Sequence, residues 1–128
     1  MTTRPSIRLD LTVLDAADIA GLADFYRTIL GWDFIDADDD WITIRPAEGV
    51  APGMAFQLAP DHVAPTWPDG AVPQQSHLDL DVVDLDEAEA FVLEAGATAT
   101  GLPEGEGHTF RVYLDPAGHP FCLCREPA

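Results

Sequence analysis

The stretch SHLDLDVVDLDEAEAFV, residues 76–92, holds a strand and a helix back to back. Its first half alternates. Leu78, Leu80 and Val82 fall on one face, and His77, Asp79 and Asp81 fall on the other. That pattern predicts a strand with one apolar face to pack and one polar face left free. Asp84 then offers a side-chain oxygen to a helix N-terminus. Leu85, Ala88, Val92 and Ala95 recur at the spacing of one helical face, and Gly96 supplies a stop.

The same arrangement occurs earlier in the chain. LDLTV at 9–13 parallels LDLDV at 78–82. Asp18 caps a second predicted helix with apolar positions Ile19, Leu22, Tyr26 and Ile29, ended by Gly31. The two caps, all four apolar positions and the pair Phe25 and Phe91 share one offset of 66 residues. The chain is therefore an internal repeat. Short strand candidates follow each helix, at 32–36, 41–45 and 54–58, then at 97–100, 109–114 and 120–124. In the last pair, Asp115-Pro116-Ala117-Gly118 has the residues of a type I turn, so the final two strands form a hairpin.

These elements predict an α+β fold: two tandem βαβββ modules, at about 6–58 and about 76–126, within one domain of 128 residues. The connector at 59–75, APDHVAPTWPDGAVPQQ, carries four prolines and reads as a surface loop. Its Trp67 is placed either over a pocket or at a subunit contact.

Composition removes several classes of function. The chain carries 23 acidic residues against 6 basic ones, all arginine, for a net charge of −17. Such a surface repels nucleic-acid phosphates and anionic membranes. No apolar run reaches the ~20 residues that span a bilayer. The opening residues MTTRPSIRLD lack the apolar core of a signal peptide, so the expected location is the cytoplasm. Cys122 and Cys124 lie two apart in one predicted strand, a poor geometry for a bridge, and are expected to be free thiols.

Four stretches, in this order, carry a family resemblance: DFYRTILGW (24–32), MAFQLAP (54–60), the opening SHLDLDVVDLDEAEAFV (76–92) and VYLDPAGHPFCL (112–123). Together they resemble the vicinal-oxygen-chelate superfamily, which includes glyoxalase I, bleomycin-resistance proteins and extradiol dioxygenases. The resemblance implies a curled mixed sheet forming a cup, with the helices outside. In that family the first strand of each module often presents a His to the cup, and the last presents a Glu from a DPxGNxxE motif. Metal-dependent members bind a divalent ion with these residues.

Carried onto this chain, the first-strand position of the second module is His77, and the last-strand Glu position falls on Cys122. Registering the modules on their helices sets Leu11 opposite His77; registering them on LDL sets Arg8 there. Neither is a metal ligand. His77 and Cys122, with an oxygen from Gln57 or Asp79, do not make a recognisable ligand constellation, so no cofactor is expected, and a divalent metal belongs to the alternative below. A nucleophilic role for Cys122 needs a lowered pKa, which an acidic field opposes; the simpler role is a small apolar wall.

The expected ligand-binding residues are His77, Asp79, Gln57, Leu11, Trp41 and Cys122. Two functions follow. One is a binding protein that holds a small organic molecule in a metal-free cup, where aromatic faces and carboxylates favour cations. The other is a metal-dependent lyase, isomerase or dioxygenase-like enzyme, with His77 or Asp79 as base. Either is expected to work as a homodimer, because pairing completes a cup or covers a sheet edge.

Overall fold

The computed structural model of the chain describes residues 3–127. The first module consists of β1 (Leu11–Ala16), α1 (Ile19–Leu30), β2 (Asp33–Ala37), β3 (Trp41–Arg45) and β4 (Gly53–Leu58). The second consists of β5 (Leu78–Val82), α2 (Leu85–Ala95), β6 (Thr98–Ala99), β7 (Phe110–Leu114) and β8 (Pro120–Arg125). Each module makes one four-stranded mixed sheet, in the order β1-β4-β3-β2 and β5-β8-β7-β6. The first strand of each lies parallel to the last, and the remaining pairs are antiparallel. This is the two-module α+β architecture that the repeat predicts.

The caps explain where the helices begin. Asp18 Oδ1 accepts from the Gly21 amide at 3.0 Å, and Asp84 Oδ1 accepts from the Glu87 amide at 3.0 Å. Each bond satisfies an amide that the helix itself cannot. At the end of α1, Gly31 takes φ of 69°, the left-handed conformation in which its amide reaches back to the Arg27 carbonyl.

The strand faces follow from alternation. In β5, Leu78, Leu80 and Val82 pack toward the core, and Asp79 and Asp81 point away. In β1 the packed residues are Leu14 and Ala16, so β1 begins at Leu11, two residues later than LDLTV suggests. The last strand starts from the turn as expected. Asp115 Oδ1 accepts from the amides of Ala117 and His119, and the Gly118 amide closes on the Asp115 carbonyl at 2.9 Å. Gly118 has φ of 88°, and a Cβ there would lie 2.8 Å from Ala64 of the connector. The turn and connector thus require glycine at this position.

The core runs through both modules. Tyr26 stacks on Phe56 of its own sheet with centroids 5.9 Å apart and meets Phe121 of the other sheet edge-on at 6.3 Å. Its hydroxyl donates to Asp115 Oδ2 at 2.7 Å. Helix α1 packs on β3 and β4 and also against the second module. His119, which follows the turn, is buried, and its Nε2 donates to the Asp15 carbonyl at 2.8 Å. That bond ties the start of β8 to β1.

Candidate functional site

The alternation that sends Leu78, Leu80 and Val82 inward sends His77, Asp79 and Asp81 to the opposite face of the second sheet. The register of β5 with β8 sets Asp79 beside Cys122 and Asp81 beside Cys124. His77 Nε2 lies 3.0 Å from Asp79 Oδ1 and 3.1 Å from Cys122 Sγ. One nitrogen, one carboxylate oxygen and one sulfur all fall within 4.8 Å of one another. On the far side of β8, Val112 pairs with Cys122 and Phe110 with Cys124. Phe110 is partly exposed and adds an aromatic ring to this face.

Cys122 is 2% exposed. Burial pushes its thiol up to about 12, helped by the charges of Asp79 and Cys124 and by a hydrogen bond to Asp79. Cys124 is raised for the same leading reason, burial, with Asp79 and Asp81 adding to it. A pKa raised in this way keeps the thiol protonated and opposes a nucleophilic role.

The first sheet presents a matching face. Trp41 lies opposite Gln57, and Gln57 lies opposite Asp15. Trp41 Nε1 donates to Thr43 Oγ1 at 2.9 Å, which fixes the indole along its strand. Leu11 begins β1 opposite Gly53. The packed residues Leu14 and Ala16 match Leu80 and Val82 at the helix offset, so Leu11 is the counterpart of His77. Arg8 lies outside the strand, in an exposed stretch. The parallel pairs carry the comparison further. Val13 faces Ala55 as Asp79 faces Cys122, so Ala55, and not Gln57, is the counterpart of Cys122.

The sequence-derived residues thus form two groups. His77, Asp79 and Cys122 converge on the second sheet. Trp41 and Gln57 share the first sheet, with Leu11 at the start of its edge strand. Among the described residues no strand of one sheet pairs with a strand of the other, and β1 and β5 are both edge strands. Ala55 and Phe110 were missed. Phe110 is visible in the alternation of FRVYL, whereas Ala55 is found only once the strand register is known.

Glyoxalase-like domains match this chain over residues 11–124, nearly its whole length. The chain belongs to the glyoxalase-like domain family. No curated protein matches its sequence. Among solved structures, a glyoxalase/bleomycin resistance protein/dioxygenase family enzyme from Burkholderia phytofirmans superposes with a TM-score of 0.71 at 18% identity, covering 93% of this chain and 98% of that one. An antibiotic-binding protein, TnmS3, from a Streptomyces species superposes at 0.61 with 19% identity, covering 98% and 100%. The bleomycin-binding protein of Streptomyces verticillus, complexed with copper(II)-bleomycin, gives 0.60 at 16% identity, covering 97% and 100%. At these identities the likeness is one of fold.

The family also implies a divalent ion, and the donor set can be tested for it. Imidazole, carboxylate and thiol together suit a borderline ion such as zinc and not a hard, all-oxygen ion such as magnesium. Three protein donors leave a fourth position open, as in catalytic zinc sites. Against this, burial opposes ionisation of Cys122, and at the equivalent positions the first module has Leu11 and Ala55, which donate nothing. No described helix is long and apolar enough to cross a membrane.

Proposed function

We propose that this glyoxalase-like protein binds a small organic ligand without a metal, and that the ligand is a cation with an aromatic or apolar body. One observation carries the reading. Where the second module has His77 and Cys122, the first has Leu11 and Ala55, so neither donor is repeated at the equivalent positions of the first module. What the two faces do offer is carboxylates at Asp15, Asp79 and Asp81 and aromatic rings at Trp41 and Phe110. Carboxylates together with ring faces attract organic cations. That β1 and β5 are edge strands supports a homodimer, in which a partner's sheet completes the cup. The protein acts in the cytoplasm on this reading.

The test is a titration of benzyltrimethylammonium followed by tryptophan fluorescence, with phenylacetate as the anionic control. Saturable binding of the cation alone, weakened in Asp79→Asn, is the expected result. Equal binding of the anion, or none of either, overturns the proposal.

A second reading rests on the close approach of His77, Asp79 and Cys122. In a metal-dependent lyase, isomerase or dioxygenase-like enzyme these three would hold a zinc-like ion, which polarises a substrate oxygen when bound. The protein's own contribution would be to orient His77 through Asp79 and to wall off water with Cys122. Elemental mass spectrometry of protein purified without chelator separates the two: about one ion per chain favours the enzyme.

A further inference from the structure

Residues 3–10 precede β1 as an exposed arm without regular secondary structure, tied at Asp10 to Gly53 and Arg45. The arm is amphipathic. Ile7 is 75% exposed and Leu9 66%, while Arg4 and Arg8 alternate with them. Neither arginine is ion-paired among the described residues, and Arg125 is not either, whereas Arg27, Arg45 and Arg111 are. Two of the chain's six cations thus lie beside bare apolar side chains on one exposed segment.

A groove of about 480 Å³ has the opposite character. It lies where β5 passes into α2 and runs along the outer side of that helix. Its apolar floor includes Val83, 80% exposed, and Phe91, 51% exposed. Asp84, Glu87 and Glu94 line it, and no basic residue does. Two such grooves facing each other would oppose six carboxylates, so the same patch on a second copy is excluded as the occupant. An arm that carries exposed Ile7 and Leu9 together with Arg4 and Arg8 matches it in both charge and apolarity.

The topology gives the arm its route. If two copies pair with the Leu11 end of β1 in one antiparallel to the Val82 end of β5 in the other, residues preceding Leu11 fall beside residues following Val82. Those are the arm and the mouth of the groove.

We infer that the arm of one copy docks in the α2 groove of a second copy, with Arg4 and Arg8 against Glu87 and Glu94 and with Ile7 and Leu9 over Val83 and Phe91. The inference rests on the homodimer reading above.

The test is sedimentation velocity over a dilution series, on the whole chain, with three variants. Arg4→Glu/Arg8→Glu should weaken the dimer about tenfold or more. Glu87→Arg/Glu94→Arg should weaken it similarly, even though it lowers the net negative charge and would strengthen a dimer limited by general repulsion. Combining all four changes should bring the dissociation constant back to within about threefold of the starting protein. All four sites are on the surface, and unchanged melting temperatures confirm that the variants are folded. A wild-type dimer indifferent to the reversals overturns the arm contact and leaves the dimer standing. A wild-type monomer throughout the series overturns both. If a groove reversal alone weakens the dimer and the arm reversal does not, the occupant is some segment other than the arm, and the inference fails.

Discussion

Helices α1 and α2 come from the same repeat, with the same caps and the same apolar spacing, yet they end in different surroundings. In α1, Ile19, Leu22, Ala23, Phe25 and Tyr26 are all buried; in α2 only Leu85 and Val92 are. Phe25 and Phe91 occupy the same position of the repeat, and one is 2% exposed and the other 51%. The difference arises between modules and not within them. The second module lays Phe121 against Phe25 at 5.7 Å, and among the described residues no aromatic ring does the same for Phe91. Local sequence decides that both segments are helices. Which flank of each is buried is decided by the partner element.

The largest expected effect tests that contrast directly. Phe25→Ala opens a hole between the modules and should cost about 3–5 kcal/mol, while Phe91→Ala should cost under about 1 kcal/mol. Urea unfolding of the two variants measures both. Comparable losses would mean that α2 is as deeply packed as α1. The first strands give a smaller version of the contrast. Leu14 is fully packed under α1, whereas its counterpart Leu80 is only half-buried. Leu14→Ala should lose about 2–5 kcal/mol and Leu80→Ala about 1–2 kcal/mol.

A third prediction concerns the polar link that only α1 makes. Burial raises the Asp115 carboxyl above its ordinary range, while the hydrogen bond from Tyr26, the His119 charge and two backbone amides pull it the other way. A carboxyl raised by folding binds its proton more tightly in the folded state than in the unfolded chain, where its pKa is about 4. Its favourable contribution is therefore full below that unfolded value and is lost as pH rises through the folded pKa. Denaturant titrations at stepped pH should show the natural protein losing stability just above the ordinary carboxylate range. Asp115→Asn, which still accepts from the turn amides, should lack that loss. If its profile declines in parallel with the natural one, another group is responsible.

Much of this architecture was legible in the sequence because it is local. Asp18, Asp84 and Gly31 cap as their types require, and β3 and β5 have the limits that alternation gives. The start of β1 misleads for a physical reason. Leu9, Leu11 and Val13 are the more hydrophobic alternating set, but the helix packs on the other one, which includes Leu14 and the small Ala16. Hydrophobicity alone chooses the wrong face there, and the helix offset corrects it. Within the site, His77 and Asp79 are legible as alternate residues of one strand, and Cys122 as four residues beyond the glycine of the turn. The counterpart of Cys122 was not legible. Ala55 is identified by the parallel register of β1 with β4, and such a register links residues far apart in the chain.

The smallest expected effect comes from making the two modules alike at their first strands. His77→Leu gives the second sheet the side chain that the first sheet has at Leu11. His77 is exposed and lies on the face away from α2, and Asp79, also exposed, regains water when the imidazole is removed. Neither event disturbs the packing of Leu78, Leu80 and Val82, so stability should change by no more than about 0.5 kcal/mol in either direction. Cys122 loses a neighbour at 3.1 Å, but its thiol retains Asp79 as a partner. The contrast with Leu14→Ala is then a statement about faces: a polar residue on the open face is replaceable, and an apolar one on the closed face is not. Paired urea titrations of His77→Leu and Leu14→Ala measure it. A loss above about 2 kcal/mol in His77→Leu would mean that His77 supports the fold, with the two faces of β5 assigned the wrong way round.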